Sequence, residues 1–196
     1  MTAAELSALE SHGVWTTDDL DELPESQRHH ELIDGVLIVP PAPTNVHQSV
    51  IWRLAATLDE SCPPEYDVTQ GVEIRISRTR SLIPDVVATT VHSAARHSGK
   101  FAPHDVVLAV EVISPSSVTM DQITKSALYA QAGIPYYWLV DTDPRIAIRT
   151  FRLDPTDGFY QPTGEFGDQV TATEPWKIDF PISRITPRHL GGQPTG

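Results

Sequence analysis

The stretch VVLAVEVISPSS (106–117) is apolar at seven of its first eight positions, the exception being Glu111. A run that apolar, ended by Ser114-Pro115-Ser116, reads as a central β-strand covered on both faces. The same logic extends outward. YYWLV (136–140) reads as a second buried strand, and SLIPDVVAT (81–89) as a third. Between the first two, residues 119–132 read as a helix. Met120, Ile123, Ala127 and Ala130 mark its buried side, and Gly133 and Pro135 stop it. Val46, Val50, Leu54 and Leu58 recur at steps of four within 44–61, so a second amphipathic helix is expected there, capped by Thr44 or Asn45.

Shorter elements surround this centre. HELIDGVLIV (30–39) reads as a hairpin turning at Asp34-Gly35. Val68–Ile76 alternates apolar and polar residues like one half-buried strand. Residues 3–11 and Thr16–Glu25 read as short helices, and the C-terminal third as short strands. Trp176, Phe180 and Ile182 there look exposed, and would close the sheet or pair with a second copy as a homodimer. The expected fold class is α/β, a mixed central sheet flanked by helices.

Composition bounds the function. The 196 residues are 40% hydrophobic and 20% charged, which suits one domain with a real core and not a disordered chain. A single cysteine, Cys62, excludes a disulfide framework and a cysteine-based zinc site. No apolar run approaches a membrane span, and the first residues lack the charge and apolar core of a signal peptide, so a cytoplasmic protein is expected. The net charge is −12, which argues against a generic nucleic-acid binder. Most of that charge sits in residues 1–34, with nine acids and one base. Residues 75–100 carry Arg75, Arg78, Arg80, Arg96 and Lys100 against Asp85 alone, a local basic face that either meets phosphate or is ordinary solvated surface.

Two acids stand in apolar strands, and that is the chemical signal. Asp85 follows Pro84 in LIPDVVA, and Glu111 lies near the C-terminal end of its strand. A carboxylate in such a place is costly unless it is paired or holds a cation. A structural salt bridge is the commoner answer for either acid alone. Two together on neighbouring strands can hold one hard cation such as Mg²⁺. Lys125, the only base between 101 and 144, follows on the helix. Glu31 in the hairpin is a candidate third acid, and His47 a candidate metal ligand or proton-transfer group. No Gly-x-Ser-x-Gly turn accompanies Ser114, Ser116 or Ser117, and no glycine-rich phosphate loop is present.

The order ELIDG (31–35), His47 in a helix, PDVV (84–87), VVLAVEVISPSS (106–117), D-x-x-x-K-x-x-x-Y (121–129) and AGIPYYWLVD (132–141) resembles the Uma2-like restriction endonuclease-fold family. The resemblance spans about residues 25–155. It implies a member of the PD-(D/E)xK nuclease superfamily: a restriction endonuclease-like core and an Mg²⁺-dependent site, with Mn²⁺ as substitute, that cleaves DNA phosphodiesters. Asp85 matches the first acid of the motif and Glu111 the second. The usual lysine position, two residues on, is Ile113, and Lys125 takes its place. Glu31 matches an acid brought in from an early element. The implied organisation is an acidic helical extension (1–25), the nuclease-like domain (26–190) and a tail (191–196). The alternative is a binding or regulatory protein that keeps the fold without efficient cleavage.

Overall fold

The computed structural model describes residues 13–24, 30–40, 42–96, 99–113 and 120–190. Helix α1 (Thr17–Glu22) begins with a capping box, in which Thr16 Oγ1 accepts from Asp19 N and Thr16 N donates to Asp19 Oδ2 at 2.8 Å. Strands β1 (Glu31–Ile33) and β2 (Val36–Ile38) form the expected hairpin. Its turn needs positive φ at both central residues, and Asp34 and Gly35 stand at 51° and 80°. Helix α2 (Asn45–Glu60) is capped by Thr44, whose Oγ1 accepts from His47 N at 3.2 Å. Then come β3 (Tyr66–Gln70), β4 (Glu73–Ser77), β5 (Arg80–Leu82), β6 (Val86–Thr90), the single turn α3 (Val91–Ala94), β7 (Lys100–Phe101) and β8 (Val106–Val112). A π-helical stretch (Met120–Lys125) leads into α4 (Ser126–Gln131). Strands β9 (Tyr136–Asp141), β10 (Ala147–Leu153), β11 (Tyr160–Phe166), β12 (Gln169–Ala172) and β13 (Ile178–Pro181) complete the order.

The strands form a six-stranded sheet, β11-β10-β9-β8-β6-β3, a five-stranded sheet, β2-β1-β5-β4-β7, and the β12-β13 hairpin. Strand β8 is central in the large sheet, antiparallel to β6 and parallel to β9. One face of that sheet packs on Val50, Ile51, Leu54 and Leu58 of α2 and on the C-terminal hairpin. The other face packs on Ile74 and Leu82 of the small sheet and on Leu128 and Tyr129 of α4. Each fully buried Leu or Val here stabilises the fold by about 1.5–3 kcal/mol.

Four expectations need correcting. Val68–Ile76 is not one strand: Gly71, at φ 64°, turns the chain out of the large sheet at β3 and into the small one at β4. SLIPDVVAT is likewise split at Pro84-Asp85 into β5 and β6, which belong to different sheets. In 119–132 the apolar side is only partly as expected: Ala130 is buried, but Ile123 and Ala127 are exposed, while Lys125, Leu128 and Tyr129 are buried. The π-helical stretch changes the angular spacing, so a 3.6-residue pattern carried through it points to the wrong face. Trp176, Phe180 and Ile182 are not exposed but buried against α2 and the large sheet, and of the two roles expected for them they take the first, closing the core. Residues 3–11 and 191–196 lie outside the described residues.

The basic stretch is paired within the chain. Arg75 and Lys100 both bind Asp21, Arg78 approaches Asp18 at 3.8 Å, Arg80 binds Asp34 at 2.5 Å, and Arg96 binds Asp105. The acidic residues of α1 therefore dock on the small sheet. The Arg75 hydrogen bonds, helped by Lys100, hold the Asp21 carboxyl down at about 2, against an ordinary 3.8. A carboxyl lowered on folding stabilises the native state above its unfolded value, and that contribution disappears as pH falls through about 2. Asp21 is 44% exposed, so solvent screening limits the effect to under about 1 kcal/mol. Asp21→Asn is expected to be less stable than the wild type at pH 6 and to converge with it near pH 2 in urea unfolding. Parallel curves down to pH 2 would contradict the pairing.

Candidate active site

Pro84 carries no amide hydrogen, so the β6 ladder cannot extend regularly past Val86. The Asp85 side chain takes over where the backbone stops: its Oδ2 accepts from Val112 N at 2.7 Å. The ladder between β6 and β8 ends at Val86↔Val110, so Asp85 lies just past it, bonded to Val112 N, while Glu111 precedes Val112 in β8. The two acids thus stand on adjoining chains at one end of the large sheet. His47, fixed in the first turn of α2 by the Thr44 cap, brings its Nε2 to 3.3 Å from Asp85 Oδ2. This half of the site is partly open, with the Asp85 side chain 20% exposed.

The other half is closed. Lys125 Nζ lies 2.9 Å from Glu31 Oε1 and 3.2 Å from Glu111 Oε1. Glu31 Oε1 also accepts from Ile83 N at 2.9 Å, which ties β1 to the β5–β6 connection. Tyr129, one helical turn after Lys125, donates its hydroxyl to Glu111 Oε1 at 2.8 Å. Each of the four side chains is buried. Burial above all, reinforced by the charges of Glu111 and Glu31, pushes the Tyr129 hydroxyl well above its ordinary range, so it stays a donor.

The structure therefore brings Glu31, Glu111 and Lys125 into one buried cluster, and Asp85 and His47 into a second group that meets it through Val112. Two carboxylates on one ammonium leave a surplus of negative charge in a desolvated place. Such a cluster adds little stability compared with well-packed apolar residues. Among the described residues no three of His, Cys, Asp and Glu form a ready cage for a metal. Mg²⁺ does not need one: it keeps several waters and takes one or two carboxylates. Asp85 is partly exposed and is bonded to the amide of the residue after Glu111, and two carboxylates are hard oxygen donors of the kind such an ion takes.

The Tyr129 contact with Glu111 and the Ile83 amide are the parts that sequence reasoning missed, although Tyr129 itself closes the D-x-x-x-K-x-x-x-Y motif. The spacing of Lys125 and Tyr129, four residues apart, is the signal that places both on one helix face. Ser114, Ser116 and Ser117 lie outside the described residues. No helix among the described residues is long and apolar enough to cross a membrane.

Comparison with known proteins places the fold and the family. No curated protein matches the chain. Among solved structures, the crystal structure of a putative nuclease belonging to DUF820 from Anabaena variabilis aligns with a TM-score of 0.68 at 18% identity, over 87% of this chain and 96% of that one. That likeness shows a shared fold. The family model Uma2, described as "Putative restriction endonuclease", matches residues 17–182. Its span runs from α1 past β13 and takes in Glu31, Asp85, Glu111 and Lys125. By that match the chain belongs to the Uma2 family.

Proposed function

We propose that this protein is a metal-dependent endonuclease that hydrolyses DNA phosphodiester bonds, with Asp85 and Glu111 holding Mg²⁺ or Mn²⁺ and Lys125 acting beside them. One observation carries the reading: among the described residues Glu31 and Glu111 share the ammonium of Lys125, and Asp85 is held on the amide of Val112, next to Glu111 in the chain. That excess of negative charge calls for a cation, and a divalent one restores the balance. When bound, the ion would polarise a phosphate oxygen and lower the pKa of a water.

The chain's own residues do the rest. Glu31 and Glu111 hold the Lys125 ammonium from two sides, so it is already oriented when phosphate arrives. A preoriented cation stabilises charge that develops on the phosphate at no reorganisation cost. The Val112 amide fixes Asp85, and His47 Nε2 stands 3.3 Å from the same carboxylate.

A second reading has its own support. The basic strip, the natural place to grip a DNA backbone, is paired with Asp18, Asp21, Asp34 and Asp105. Phosphate contacts come from available Lys and Arg. A nuclease-fold binding or regulatory protein would share that surface. Supercoiled plasmid incubated with Mg²⁺, Mn²⁺ or chelator separates the two. Metal-dependent nicking that chelator abolishes is the expected result. Binding without nicking under any condition would favour the second reading.

A further inference from the structure

We infer that Tyr129 is a positioning residue of the metal site: its hydroxyl and the Lys125 ammonium clamp the same oxygen of Glu111 and so fix the plane of that carboxylate. The inference rests on the metal-site reading above and deepens it. Both donors converge on Oε1, at 2.8 Å from Tyr129 and 3.2 Å from Lys125. They come from one helix, four residues apart, just where the π-helical stretch passes into α4.

The hydroxyl has no packing reason to be there. Tyr129 is fully buried, with its ring centroid 5.7 Å from that of Tyr137 and Leu128, Ala109 and Ile134 in the same cluster. A phenylalanine would keep those ring contacts. A buried hydroxyl is costly unless it is bonded, and the bond it makes is to Glu111. Burial also stops the ring from swinging out, so the donor cannot leave. A Glu side chain has three rotatable torsions, and a clamp at one oxygen removes most of that freedom before a cation arrives. Groups that orient a ligating carboxylate in this way typically matter 10–100-fold for metal affinity.

The test is calorimetric titration of the full chain with Mn²⁺ alone, without DNA. Tyr129→Phe is compared with the wild type and with Tyr160→Phe. Tyr160 is a half-buried tyrosine of the same cluster, but its hydroxyl donates to the Ile134 carbonyl at 2.8 Å, away from Glu111. The expected result is a Kd about 10–100-fold weaker in Tyr129→Phe and unchanged in Tyr160→Phe. If the wild type binds Mn²⁺ and Tyr129→Phe binds it equally well, the clamp is wrong and the metal site stands. Equal weakening in both variants also overturns the clamp, because the loss would then be a general effect of removing a buried hydroxyl. If the wild type itself binds no Mn²⁺, the metal reading falls and the clamp with it.

Discussion

Asp85→Asn should lower metal-dependent DNA cleavage at least about 10³-fold, a loss of about 4 kcal/mol of transition-state stabilisation. The substitution is nearly isosteric. Its side-chain carbonyl can still accept from Val112 N, the bond that Asp85 Oδ2 makes at 2.7 Å. The end of β6 should therefore stay in place, and the thermal midpoint should remain close to that of the wild type. What is lost is the negative charge at the partly exposed end of the site. Initial nicking rates over a range of Mg²⁺ concentrations, alongside thermal unfolding, read the two effects separately. Retention of a tenth of the activity or more would remove Asp85 from the metal site.

Lys125→Met should cost about 3–5 kcal/mol of stability at neutral pH, because it leaves Glu31 and Glu111 buried without the ammonium between them. Methionine matches the aliphatic stem, so packing changes little and the loss is electrostatic. The double variant Lys125→Met with Glu31→Gln should recover part of it, since one of the two stranded charges is gone. Residues in one network are not additive, and this recovery measures the coupling. Urea unfolding of the wild type, both single variants and the double variant closes the cycle. A loss under about 1 kcal/mol for Lys125→Met would mean that the ammonium behaves as an exposed one. Cleavage should fall in this variant as well, so the stability measurement is what identifies the buried cluster.

Much of this was legible in the sequence, for identifiable reasons. The Asp34-Gly35 turn has a chemistry that few other dipeptides satisfy. The α2 stripe is long enough for its period to be read, and a strand as apolar as β8 has to be central. Glu111, Asp85 and Glu31 were visible because carboxylates in apolar strands need an explanation. Lys125 was visible as the one base in a long stretch.

What was not legible is equally physical. Alternation of apolar and polar residues says that a segment is extended, but not which sheet it joins. Hence 68–76 and 81–89 each read as a single strand, although Gly71 and Pro84-Asp85 divide them between two sheets. The π-helical stretch before α4 shifts the helical phase, which turned Ile123 outward and Lys125 inward. Trp176, Phe180 and Ile182 looked exposed because their cover is α2, over a hundred residues earlier in the chain. Tyr129 was visible as the end of the D-x-x-x-K-x-x-x-Y motif but was given no role, because a tyrosine in an apolar helix face is ordinary core and only its hydroxyl contact marks it out.

The central claim is that one divalent cation is shared by Asp85 and Glu111. Anomalous diffraction from crystals soaked in Mn²⁺ tests it most directly. The account predicts a single strong peak with an oxygen of each carboxylate within about 2.5 Å, and Lys125 still on Glu111. A peak bound elsewhere on the chain, or none at Mn²⁺ concentrations that support nicking, would contradict it.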